Sequence, residues 1–219
     1  MVFKRKLTKE EVRVLEKIIE FVEEKHHRAE GHDYSHVLEV CKHAIEISRK
    51  IREPVDPFVM LGGALLHDIG RVGAKTGRFH GIDGASRAEE FLESLVKNTT
   101  TIHRITRIIV RHTPTSHIPP QSTEEKVISD ADDIERLGFM GMIRGIMGKK
   151  GTMEEIIEDR IHKRLGDYDR LFFNVSKKLA LPHFKETTQV SKTLKKKLKE
   201  RLSEIKEIES YKVIKDEEK

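Results

Sequence analysis

The sequence predicts an all-α fold, and three observations carry that prediction. Apolar residues recur every three or four positions along most of the chain. No period-2 alternation of useful length occurs, so strands are not expected. At three expected helix starts a Ser or Thr is followed three positions later by Glu, the signature of a capping box.

The elements follow in order. Thr8 with Glu11 opens the first helix, and Val12, Leu15, Ile18, Ile19 and Val22 repeat behind it at helical spacing. A second helix is expected from near Ser35, with Val37, Val40, Cys41, Ala44 and Ser48 on one stripe. Asp56-Pro57 starts a third, since Pro is well suited to the first helical position. It buries Phe58, Leu61 and Leu65 and stops near Gly70. Asp83 is the expected cap of a fourth, through Ala88, Phe91 and Leu95. Thr100 or Thr101 opens a fifth, with Ile102, Ile105, Ile109 and His112 on one face.

Pro114, Pro119 and Pro120 then force a loop. Ser122 with Glu125, and Thr152 with Glu155, open two more helices. Between them lies GFMGMIRGIMGKKG (138–151), rich in glycine and methionine and therefore adaptable. From about 168 the pattern is helical again and finishes in a charged tail. With neither repeat nor linker, the expectation is one domain over 1–219, with a core at about 8–150 and C-terminal helices at 152–210.

Composition narrows the setting. Forty-two basic and 37 acidic residues interleave, so the net charge of +5 attracts anions only weakly. Cys41 alone cannot form an internal disulfide and is expected to be inert packing, which suits a reducing compartment. The N-terminal MVFKRKLTKEEV lacks the apolar stretch of a signal peptide. The longest apolar run, Val59 to Leu66, is too short to span a bilayer. A cytoplasmic protein without a membrane partner is expected.

The lysine-rich SKTLKKKLKERLSEIKEI places Leu194, Leu198, Leu202 and Ile205 on one stripe. It reads as a solvated amphipathic helix packed on the domain or on a partner chain, a homodimer included, rather than as a specific nucleic-acid surface. Met140, Met142, Met147 and Met153 read as packing that could also line an adaptable pocket.

The chemistry lies in polar residues on apolar stripes. His36 falls one turn before Val40, His67-Asp68 ends the third helix after Leu65, and Asp130 shares a face with Val127 and Ile134. Two buried carboxylates cost several kcal/mol each unless something positive compensates them. A divalent metal does so in one step, and mixed nitrogen and oxygen ligands suit Mn, Fe, Co, Ni or Zn.

These residues, in the wording HDYSHVLEV, ALLHDIGR and ISDADDIERLG, resemble the HD-domain superfamily of metal-dependent phosphohydrolases over about His32 to Leu137. The stretch DADDIERLGFMGMIRGI also resembles small, poorly characterised HD proteins. The resemblance implies a helical bundle with His36, His67, Asp68 and Asp130 as metal ligands. Two-metal subfamilies, including those that hydrolyse diadenosine tetraphosphate, insert two histidines between the HD pair and the last aspartate. His80, in FHGIDG, and His112, in RHTP, match that order and imply a second ion bridged by Asp68. The divalent ion could thus be one or two in number, with Mg as a further candidate.

Such a site lowers the pKa of bound water for attack on phosphorus, so the implied reaction is hydrolysis of a nucleotide or other small phosphorylated metabolite. Asp68 and Arg71 are the catalytic candidates. Arg71 can bind phosphate bidentately, its rival role being a cation at a helix C-terminus. His32 is expected to meet substrate or orient a ligand. Asp83 reads as a cap rather than a catalytic group, and His117 as a loop residue facing solvent. The rival functions are a di-iron oxygenase on the same scaffold and a non-catalytic nucleotide-sensing module.

Overall fold

The computed structural model describes residues 3, 5–27, 32–73, 79–147 and 149–210. The end of the charged tail, 211–219, and one residue of the 138–151 stretch lie outside them. Among the described residues ten α-helices run in order: α1 Lys9–His26, α2 Tyr34–Lys50, α3 Pro57–Leu66, α4 His80–Glu93, α5 Thr99–Arg111, α6 Thr123–Glu135, α7 Gly138–Ile146, α8 Met153–Ile157, α9 Leu165–Asp169 and α10 Asn174–Ser210. Among the described residues there is no strand, and the fold is all-α.

Local chemistry explains the helix starts. In α1 the Glu11 amide donates to the Thr8 hydroxyl at 3.1 Å, and the Thr8 amide donates to the Glu11 carboxylate at 2.7 Å. The boxes at Ser122 and Thr152 open α6 and α8 in the same way. Asp56 accepts from Phe58 and Val59 and opens α3, with Pro57 at its first turn. α2 begins at Tyr34, near the expected Ser35, with Asp33 capping it by accepting from the His36 amide. Two starts differ from expectation. Asn98 caps α5, one residue before Thr99. Asp83 caps nothing: α4 already begins at His80, leaving Asp83 in the first turn, where its charge suits the helix dipole.

The core joins α1 to α6. Val22, Val40, Ile47, Met60, Leu66, Ile105, Ile109 and Ile128 are buried in a single apolar cluster. Nearly every residue of α3 is buried, which makes it the central helix. It can press against α5 because Gly63 has no side chain; a Cβ there would stand 2.6 Å from Ile108 Cδ1. Gly70 works likewise in the tight turn Ile69–Arg71 that follows α3: its Cβ would meet the His80 carbonyl at 2.0 Å. Backbone thus touches backbone between that turn and the start of α4.

The segments after α6 pack on α10. Met142, Ile157 and Ile161 form a second, small apolar cluster against Val190 and Leu194. Leu202 and Ile205, farther along the expected stripe, are exposed. No helix among the described residues is long and apolar enough to cross a membrane.

Candidate metal centre

Six buried polar side chains converge where helices begin or end. His36 stands in the first turn of α2. His67 closes α3, and Asp68 follows it just before the tight turn. His80 is the first residue of α4 and His112 closes α5. Asp132 comes from α6. All six are buried.

The distances divide them into two groups that share one carboxylate. Asp68 Oδ2 lies 3.6 Å from both His36 Nε2 and His67 Nε2, while Oδ1 lies 3.5 Å from both His80 Nε2 and His112 Nε2. Asp132 Oδ1 stands 3.6 Å from His36 Nε2. His36 and His67 bring their Nε2 atoms to 3.3 Å, and so do His80 and His112.

In each pair one nitrogen is a lone-pair donor. The Nδ1 of His67 meets the Ala64 carbonyl at 2.7 Å, and the Nδ1 of His112 meets the Ile109 carbonyl at 2.7 Å. A carbonyl only accepts, so each Nδ1 carries the proton and each Nε2 a lone pair. Nδ1 of His36 lies 3.3 Å from the Glu135 carboxylate. The Nε2 lone pairs of His67 and His112 are free to bind a cation. Donors about 2.0–2.2 Å from a tetrahedral or octahedral ion are spaced roughly 3–3.5 Å apart, so the donor set fits a divalent metal.

Electrostatics agree. Burial holds His67 down to about 3, which keeps it neutral. Burial opposes the charge on Asp68, but Arg71, His32 and His67 outweigh it and hold the carboxyl well below its usual range. Asp132 is likewise lowered against its burial, by His36 and Arg136. At His36 burial is outweighed by Asp68 and Glu135, which raise it; a bound cation would replace that proton. Ionised carboxylates among neutral imidazoles are the charge state a divalent ion requires.

Asp130 is not in this cluster. Its carboxylate accepts from the amides of Phe172 at 2.8 Å and Phe173 at 3.0 Å, on the run into α10, and burial pushes it up to about 6. The aspartate of α6 that faces the histidines is Asp132, two residues on. The stripe with Val127 and Ile134 does predict that Asp130 is buried, but it does not choose the burial partner. Asp132 lies one turn beyond the fully buried Ile128, a signal of equal strength.

His32 and Arg71 both reach Asp68. His32 Nδ1 stands 2.6 Å from Oδ2, and Arg71 Nε donates to Oδ1 at 2.8 Å. Both side chains keep some exposure and so mark the open edge of the cluster. Two residues that the sequence did not single out stand behind His36. Glu135 is one; the other is Arg144 of α7, whose guanidinium touches His36 Nδ1 and donates to the Glu135 carboxylate at 2.7 Å. His117 is exposed in the proline loop, with a left-handed φ of 57°.

Residues 33–137 match the family model of the HD domain. That stretch of the chain is an HD domain. Two curated proteins are similar in sequence. One is the uncharacterised protein YpgQ of Bacillus subtilis, 32% identical over 124 residues, 55% of this chain and 60% of that protein. The other is a tRNA (cytidine(56)-2'-O)-methyltransferase of Picrophilus torridus, 31% identical over 129 residues, 52% of this chain and 34% of that protein. The chain thus spans less than two thirds of either.

Two solved structures show the same fold. YpgQ in complex with ADP aligns with a TM-score of 0.65 at 22% identity, over 86% of this chain and 96% of that one. An HD-superfamily hydrolase of Bacillus thuringiensis aligns with a TM-score of 0.62 at 22% identity, over 86% and 98%. In HD terms, His67-Asp68 is the dipeptide, and His36 and Asp132 complete its first group of donors.

Proposed function

We propose that the protein is a metal-dependent phosphohydrolase that directs an activated water at a phosphorus atom of a nucleotide or other small phosphorylated metabolite. One observation carries this: two pairs of imidazole Nε2 atoms share the carboxylate of Asp68, one pair on each oxygen. When bound, divalent ions there would lower the pKa of water and offset charge building on the phosphoryl oxygens.

The chain's own residues supply the rest. His36, His67, Asp68 and Asp132 would hold one ion, and Asp68, His80 and His112 a second. Glu135 and Arg144 both stand behind His36, and Arg144 holds Glu135. Arg71, partly exposed on Asp68, can turn a guanidinium edge to a phosphate oxygen. His32 can hold or give up a proton at Nε2 on the same open side. A nucleotide is favoured as substrate because YpgQ, of the same fold, binds ADP. On this proposal the chain works as one domain over 1–219 in the cytoplasm, on a small substrate rather than on nucleic acid.

Elemental analysis of the purified protein, followed by a phosphate-release screen over nucleotides with Mn, Co, Ni and Mg, tests the proposal. Bound divalent metal and metal-dependent release are expected. Oxygen consumption with two bound irons and no phosphate release would replace it with the oxygenase alternative. Melting shifts with nucleotides and no turnover would replace it with the sensor.

A further inference from the structure

One face of α7 is apolar and open. Phe139, Met140, Ile143, Ile146 and Met147 are all exposed, from 41% at Ile146 to 71% at Met140. Each step along a helix turns it by about 100°, so these five fall within an arc of roughly 120°. Met147 stands just past the helix, but its amide still donates to the Ile143 carbonyl at 3.1 Å, which keeps it in register.

The opposite side of α7 is taken up by its own domain. Gly138, Gly141, Met142 and Gly145 are buried there, Met142 in the small cluster with Ile157 and Ile161. At Gly141 the contact is so close that a Cβ would stand 2.3 Å from the Arg136 carbonyl carbon. The single charge of α7, Arg144, is turned toward His36 and Glu135. No charge of this helix therefore interrupts the open face. Side chains of this size, about half exposed, leave on the order of 500 Å² of apolar surface, the size at which a contiguous patch is often functional. With a polar rim, such a face approaches the roughly 800 Å² that each partner buries in a stable complex.

The pattern of the face says what covers it. Positions 139, 140, 143, 146 and 147 read the same from either end, centred on Ile143. Two copies of α7 laid antiparallel about a two-fold axis through Ile143 set Phe139 against the partner's Met147, and Met140 against the partner's Ile146. Ile143 then meets itself, and every apolar residue meets another. A two-fold dimer requires a self-complementary patch of this kind, whereas an unrelated partner or a lipid surface requires no such symmetry.

We propose that this face is the interface of a homodimer in which two α7 helices pack antiparallel about Ile143. The proposal is independent of the hydrolase reading, since it uses the side of α7 away from the metal centre.

Sedimentation velocity of the full chain over a dilution series tests it. Wild type is expected to be a dimer at micromolar concentration. Ile143→Glu sets two carboxylates against each other on the axis and should weaken the dimer at least about a hundredfold. Phe139→Glu and Met147→Lys should each weaken it about tenfold or more. Combined in one chain, they should dimerise more tightly than either alone, because each new carboxylate meets a new ammonium across the axis. The two positions lie two turns apart in one helix, so those charges can pair only between copies. All three positions are exposed, so helical circular dichroism and metal content should match wild type.

A wild type that stays monomeric at every concentration overturns the interface, and so does a dimer untouched by Ile143→Glu. A combined variant no tighter than its parents overturns the antiparallel register. Monomeric wild type that co-sediments with phosphatidylglycerol vesicles gives the face to a membrane instead. Should one variant not fold, the wild-type mass and the remaining variants decide.

Discussion

His67 and His112 make the same backbone bond from the same place in two different helices. Each closes its helix, and each Nδ1 meets the carbonyl three residues before it at 2.7 Å. Their rings stand edge to face with centroids 5.1 Å apart. A helix end that would otherwise leave a bare carbonyl instead fixes a tautomer and aims a lone pair.

That symmetry predicts two ions. Replacing both His80 and His112 by Ala should halve the metal-to-protein ratio measured by plasma mass spectrometry, because the Asp68 oxygen that faces them loses both imidazoles. Wild type loaded with excess Mn that never exceeds one equivalent would leave a mononuclear centre.

Asp130 and Asp132 should separate cleanly. Asp132→Asn is expected to lose bound metal and turnover with little change in helical circular dichroism. Asp130→Asn should keep metal. Asp130→Ala should keep it too, but lose about 2 kcal/mol of stability, since the amides of Phe172 and Phe173 lose their acceptor. The opposite pattern of metal contents would return the ligand role to Asp130.

Arg71→Ala should retain metal and slow turnover by roughly ten- to a hundredfold, the effect of one charge-assisted hydrogen bond to phosphate. Activity equal to wild type would leave Arg71 as a partner of Asp68 alone.

Cys41 should be silent. Burial pushes its thiol from 9.0 up to about 12. A disulfide exchange reagent at pH 8 should therefore find no thiol in the folded chain and one after unfolding. The sign of the linkage follows: between pH 9 and 12 the unfolded chain gives up this proton first, so stability falls as pH rises through that window. Below it, both states keep the proton. Cys41→Ala should flatten that alkaline slope, and rapid labelling of the native protein would contradict the burial.

Much of the fold is legible in the sequence because it rests on short-range chemistry. The capping boxes at Thr8, Ser122 and Thr152 need only four residues each. His67 and His112 are legible too, as polar residues ending apolar stripes. What fails to show is which distant group meets a buried side chain. Asp130 and Asp132 lie on a helix buried on nearly every side, so no stripe distinguishes them; the decision comes from the chain arriving at Phe172. Arg144 is hidden for the same reason, reaching His36 from 108 positions away.

The aspartates of α6 have a mechanical consequence. Each step along an α-helix turns it by about 100°, so residues two apart face nearly opposite ways. Asp130 is keyed to the approach of α10, Asp132 to His36, and Asp133 to Arg170 at 2.9 Å. A shaft held by three keys in four residues can neither roll nor slide without breaking at least one of them. Its aim at the histidines is set by polar bonds on several sides, not by the fit of its apolar face alone.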